Sequence, residues 1–212
     1  MVEKLTFGSP LVTAEYIREE SEYPTGENTL LMNLSRSAPI RVGNQRLPPL
    51  RAAVFHNARV CVPGEALAVT NYGGLDVENE ETAVLIKREW KSVWELTHAP
   101  RNIGVEYYKS PAAVLHGSIK LNVCFGERQL PAGLHREHRD PDFDELHLQL
   151  CGRGFVQLFR ENDPATLYES LPLAPGAVND PIWNEEGAYP WHRYYSQTRC
   201  LFLVIEMERQ GL

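Results

Sequence analysis

The stretch Glu145-Leu-His-Leu-Gln-Leu-Cys151 constrains the fold more than any other part of the chain. Three leucines alternate with Glu145, His147, Gln149 and Cys151, a strict period of two that fits a β-strand and not one face of a helix. Such a strand has one apolar face and one face of chemically active groups. Gly152-Arg153-Gly154 follows as a turn signal, and a second alternating run from Phe155 to Phe159 predicts a hairpin over 145–159. Elsewhere Gly and Pro recur at short intervals, 15 of each in 212 residues, which divides the chain into short strands in the manner of a sandwich or barrel. Further strands are predicted at 52–62, 66–70, 82–87, 118–125, 167–171 and 199–206. Helical character is confined to 12–21 and 91–96.

Composition narrows the function classes. Hydrophobic residues make up 43% and charged residues 23%, as in an ordinary globular domain with a real core. The net charge of -7 has the wrong sign for a protein that neutralises phosphates over a broad surface, so no nucleic-acid partner is expected. No apolar run approaches the roughly 20 residues of a membrane helix, and the N-terminal residues lack the pattern of a secretory signal. The expectation is a cytoplasmic protein with no membrane partner. Cysteines 61, 124, 151 and 200 are too scattered for a zinc knuckle and too few for a disulfide scaffold, and read as reduced. No compositional break separates two globules, although 97–102, with Pro100, reads as a short link.

The chemistry concentrates in one segment. Of seven histidines, His135, His138 and His147 fall within thirteen residues that also hold Glu137 and Glu145. Imidazole nitrogens and a carboxylate converging from a rigid frame are what Fe(II), Mn, Ni or Zn requires, with positions left for a substrate. An ordinary antiparallel hairpin also leaves one polar face in water, so Glu145, His147 and Gln149 admit that reading as well. There is no phosphate-binding glycine loop, no nucleophile elbow and no HExxH helix. His56, His98 and His116 read as structural, and the aromatic stretch 183–195 reads either as a flap over a pocket or as a loop packed on the body.

The run His135-Arg-Glu-His138, followed by Glu145 and, after six residues, Gly152, resembles the first motif of the cupin superfamily. Pro175-Gly176 and the later Tyr189-Pro190-Trp191-His192 resemble the second, with 199–206 as the closing strand. Two residues separate the histidines of the first motif where the family usually has one. The resemblance covers roughly residues 112–207. It implies an all-β, cupin-type barrel (a double-stranded β-helix or jelly roll) over 103–212. Residues 1–102 would then be a β-rich extension or degenerate cupin half packed on it, with one or two short helices.

The resemblance also implies a divalent metal held by His138, Glu145 and His192, with His135 as a candidate fourth ligand and Fe(II) as the favoured ion over Mn, Ni or Zn. His147 shares a strand face with Glu145 and is the candidate general acid or base. The layout from His138 to Leu150 is similar to that of 3-hydroxyanthranilate-type dioxygenases, so a non-haem iron dioxygenase of an aromatic or enediol-type small molecule is the leading expectation. A metal-dependent isomerase, lyase or cyclase is the second, and a non-catalytic small-molecule-binding cupin the third. A homodimer is expected, partly because the face of Leu146, Leu148 and Leu150 needs burial.

Overall fold

The computed structural model describes residues 1–8, 11–136, 142–184 and 187–209. The chain divides into two compact units, Met1–Leu75 with Gly176–Val178 and Asp76–Pro175 with Asn179–Leu212. The division expected at residue 102 therefore falls inside the second unit. Segment 97–102 is not a free link: Asn102 is buried, and its side-chain amide donates to Thr97 Oγ1 at 2.9 Å.

The first unit holds seven antiparallel strands: β1 (Val2–Leu5), β2 (Ala14–Pro24), β3 (Thr29–Asn33), β4 (Ile40–Val42), β5 (Gln45–Leu47), β6 (Ala52–Phe55) and β7 (Arg59–Val69). Their order is β1-β2-β7-β3-β6, with β4 pairing both β5 and β7. Segment 12–21, expected to be helical, is instead largely β2. It is hydrogen-bonded to β1 on one side and β7 on the other, and that two-sided pairing outweighs the weak helix preference of an acidic stretch. The strand predicted at 52–62 is two strands, broken by a turn at which Asn57 has φ 47°.

The second unit begins with α1 (Glu80–Glu89), β8 (Lys91–Ser92), α2 (Val93–Thr97), β9 (Tyr107–Lys109), β10 (Ala113–Leu115), β11 (Ile119–Gly126) and β12 (Leu130–Pro131). It continues through β13 (Phe143–Cys151), β14 (Gly154–Phe159), β15 (Leu167–Leu173), β16 (Trp191–Ser196) and β17 (Cys200–Glu208). The strand predicted at 82–87 is α1. Asn79 accepts from the backbone N–H of Glu81 and Thr82, Glu80 and Glu81 occupy the first turn, and Lys87 and Arg88 the last. These charges complement the helix dipole, and Ala83 and Ile86, three apart, supply the buried stripe. The helix expected at 91–96 is α2, started by a capping box between Ser92 and Glu95.

One antiparallel sheet runs β13-β17-β11-β9-β8, with β10 on β11, and a second runs β12-β16-β14-β15. The fold is all-β with two short helices, as expected. Among the described residues no strand pairing joins the two sheets, so the barrel is open, a two-sheet jelly roll in place of a closed cylinder. The expected hairpin is absent as well: β13 pairs β17 while β14 pairs β15 and β16, so Gly152-Arg153-Gly154 carries the chain from one sheet to the other.

The leucine face of β13 is covered within the chain, with Leu146, Leu148 and Leu150 at most 2% exposed. It therefore gives no reason for a second copy. β17, between β13 and β11, reads Cys-Leu-Phe-Leu-Val-Ile, the unbroken apolar run of a strand buried on both faces.

Gly152 makes the crossing between sheets. Its φ is +72°, and a Cβ at this position would collide with the carbonyl oxygen of Arg199 and with Cys200. A side chain is thus excluded by backbone conformation and by space together. Gly152→Ala is expected to destabilise the protein by about 2 kcal/mol or more, measured as a lowered urea midpoint at unchanged slope.

Candidate metal centre

The two sheets bring different parts of the sequence to one cavity of about 490 Å³. On the second sheet, His135 forms an isolated antiparallel bridge with His192 of β16. Each backbone N–H donates to the other residue's carbonyl, at 3.0 and 2.8 Å. Residues so paired project their side chains from the same face, and the two imidazole rings lie 4.4 Å apart. Their Nδ1 atoms face backbone carbonyls two residues upstream, His135 to Gly133 and His192 to Pro190, both at 3.0 Å. A carbonyl only accepts, so each Nδ1 carries a proton and Nε2 is the ring nitrogen left to face the group.

The carboxylate comes from the first sheet. Glu145 on β13 is 9% exposed, and its Oε2 lies 3.2 Å from His192 Nε2. One ligand atom from each of His135, Glu145 and His192 lies within 4.8 Å of the others. This group could hold a metal ion. The donor set fits one: two imidazoles oriented by backbone carbonyls, and one carboxylate, are a recurrent ligand shell with its second shell already in place.

Glu145 stands directly across from Glu206 on β17, and Glu206 stands across from Lys120 on β11. Carboxylates opposed on one face repel unless each has a cation. Glu206 has lysine partners, and Glu145 acts on Lys109 and meets His192.

Of the residues read from the sequence, His135, Glu145 and His192 come together, while His138 and Glu137 lie outside the described residues. His135, taken as a candidate fourth ligand, is thus one of the three that converge. His147 is 5% exposed and shares the cavity, with Nε2 4.0 Å from Glu145 Oε2. Its ring packs against Tyr194 and Phe202. The reading of this strand face as solvated does not hold: Glu145, His147 and Gln149 are all buried. Cys151 is only half-buried and is not among the cavity residues.

β13 is an edge strand, and side chains from the loop before β16 answer its outward N–H groups. The Glu145 N–H donates to the Tyr189 hydroxyl at 2.6 Å, and the His147 N–H to Asn179 Oδ1 at 2.7 Å. Burial pushes the Tyr189 phenol well above its ordinary pKa, and the Glu145 charge adds to this. The hydroxyl therefore stays protonated and serves as a neutral acceptor. Of the two readings of the aromatic stretch, the described part favours a packed loop: Ile182 and Tyr189 are each 7% exposed, and Trp183 stacks edge-on to Tyr189.

Sequence reasoning missed Tyr189, Asn179, Lys109 and Lys120. Lys120, Asn122 and Cys124 alternate with Leu121, Val123 and Phe125, which was a legible signal for β11. The three-residue β9 offers none for Lys109.

No family model and no curated protein matches the sequence. Solved structures resemble the fold at low identity, and several of them are described as cupin proteins. A cupin-superfamily protein from Desulfitobacterium hafniense is 15% identical over 56% of this chain and 90% of its own, with TM-score 0.36. KdgF from Halomonas sp. is 15% identical over 57% and 87%, with TM-score 0.38. A sugar phosphate isomerase of the cupin superfamily from Silicibacter pomeroyi is 16% identical over 51% and 64%, with TM-score 0.35.

The bracing of β13 by its loop is open to direct measurement. Tyr189→Phe removes the acceptor for the buried Glu145 N–H and is expected to cost about 1–3 kcal/mol, read from urea denaturation. An unchanged midpoint would show that this hydroxyl does not hold the strand.

Proposed function

We propose that the chain is a metal-dependent enzyme acting on a small organic molecule, with oxygen-dependent cleavage of an aromatic or enediol-type substrate at Fe(II) as the leading reaction. The observation that carries the reading is the convergence of His135, Glu145 and His192 beside a cavity large enough for such a molecule. An ion held there by three protein ligands would keep positions open for a chelating substrate and, as Fe(II), for dioxygen.

The protein's own groups have separable tasks in this reading. His135 and His192 would supply Nε2 to the ion, their rings fixed by the carbonyl contacts at Nδ1, and Glu145 the compensating charge. Phe202, Val204 and Tyr194 line the cavity with apolar and aromatic surface that limits water. His147, buried and one alternation along the strand from Glu145, takes or gives the proton.

That last feature also favours a second reading, a metal-dependent isomerase, lyase or cyclase, in which a proton is moved and no oxygen is consumed. The two readings separate in one experiment. Protein purified without added metal is analysed for bound metals, and oxygen uptake is followed with chelating phenols and enediols. Bound iron with substrate-dependent oxygen uptake is the expected result. Zinc, manganese or nickel with no uptake would favour the second reading, and absence of any divalent metal would overturn both.

Two variants divide ligand from proton carrier. Glu145→Gln keeps the shape and removes the charge, and metal occupancy is expected to fall at least about tenfold. His147→Gln is expected to retain metal while turnover falls by about 10² to 10⁴. Equal metal loss in both variants would make His147 a ligand.

A further inference from the structure

The cavity wall carries more positive charge than the proposed ligand group uses. Lys109 on β9 and Lys120 on β11 both line it, and both turn to a single carboxylate. Glu206 lies 2.8 Å from Lys120 Nζ through Oε2 and 3.6 Å from Lys109 Nζ through Oε1. The first distance is a charge-assisted hydrogen bond, and the second is too long for one. With the Arg101 guanidinium, which also lines the cavity, three cations stand against the carboxylates of Glu206 and Glu145 and leave about one unit of positive charge at the wall.

Among the described residues Glu145 is the single carboxylate that lines the cavity, and it belongs to the histidine group. Lys109 is placed deeply for a lysine, its side chain 24% exposed. Cross-strand register sets it directly opposite Cys124 on the inner face, in the row that continues to Phe202 and Gln149.

Burial is the largest influence on the Lys109 ammonium and pulls its pKa down, yet Cys124, Glu206 and Glu145 together hold it above the ordinary lysine value. The Cys124 thiol is itself pushed up to about 12, chiefly by burial, so it carries no charge near neutrality. Lys109 thus stands as an ammonium beside Glu206 and Glu145, and an anion brought into the cavity meets a cation that already lines it.

We propose that Lys109 and Lys120, held in place by Glu206, form an anion subsite that binds the carboxylate of the substrate, so that the substrate is a small organic acid. A monoanion matches the single unbalanced charge, whereas a phosphate dianion would exceed it. The proposal rests on the preceding reading in taking this cavity as the substrate site, and it adds which chemical group is recognised and by which residues.

Three fluorinated probes of similar shape test it: 4-fluorobenzoate, its uncharged amide, and 4-fluorophenyl phosphate. Their binding to the full chain is followed by fluorine NMR titration, both on the protein as purified and after removal of metal by a chelator. The benzoate is expected to bind about tenfold or more tightly than the amide, the worth of one charge-assisted contact. That preference should persist without metal, weaken with added salt, and vanish in Lys109→Met while the amide binds that variant unchanged. Glu206→Gln, which releases both lysines, should strengthen it.

Equal binding of benzoate and amide by the unaltered protein overturns the proposal, whether or not any variant folds. A preference seen only with metal bound assigns the carboxylate to the ion and overturns it too, as does tighter binding of the phosphate. Metal analysis of the same samples reports on the metal reading separately, because the lysine subsite is read in the metal-free arm.

Discussion

Burial of the polar face of β13 is the constraint on which the second unit depends. A half-solvated antiparallel strand would leave Glu145, His147 and Gln149 in water. Here a second sheet covers them, and buried polar groups must then be paired or charge-balanced. The consequences run through the surroundings. The Tyr194 hydroxyl donates to Gln149. Glu145 meets His192, and Tyr189 and Asn179 close the open edge of the strand. The same requirement explains why the loop before β16 is packed down on β13.

The histidine pair shows how backbone pairing becomes chemistry. His135 and His192 are 57 positions apart, yet one antiparallel bridge sets their rings side by side with no freedom of register. The carbonyls of Gly133 and Pro190 then orient both rings. This is preorganisation by main chain, which costs nothing further when an ion or substrate arrives. The opposing sheet supplies the charge. Facing sheets thus divide the work, the imidazole pair on one and the carboxylate with the lysine and glutamate row on the other.

The errors of sequence reading have more than one origin. Thr82 to Lys87 read as a strand although its caps and terminal charges specified a helix, so there the local signals were present and were outweighed by β-branched and apolar content. Segment 12–21 is different: its local preference is weak, and what makes it a strand is hydrogen bonding to β1 and β7, which no local pattern records. The expected hairpin failed for a related reason. Gly152-Arg153-Gly154 is a turn signal, but the same chemistry serves a tight reversal and a step between sheets, and the pairing of β13 with β17 lies some fifty residues away.

What the sequence determined by itself is the period of two in β11, β13 and β14 and the apolar run of β17, the all-β class that follows from them, and the presence of Glu145, His147 and His192 among the active groups. These are local properties, because alternation along an extended chain sets which side chains share a face before any partner strand is known. Which face is buried, which histidine stands beside Glu145, and which lysines share Glu206 were decided only by tertiary structure. Each depends on the register between strands distant in sequence or on the facing of one sheet by another, and a one-residue change in either would send a different set of side chains into the cavity.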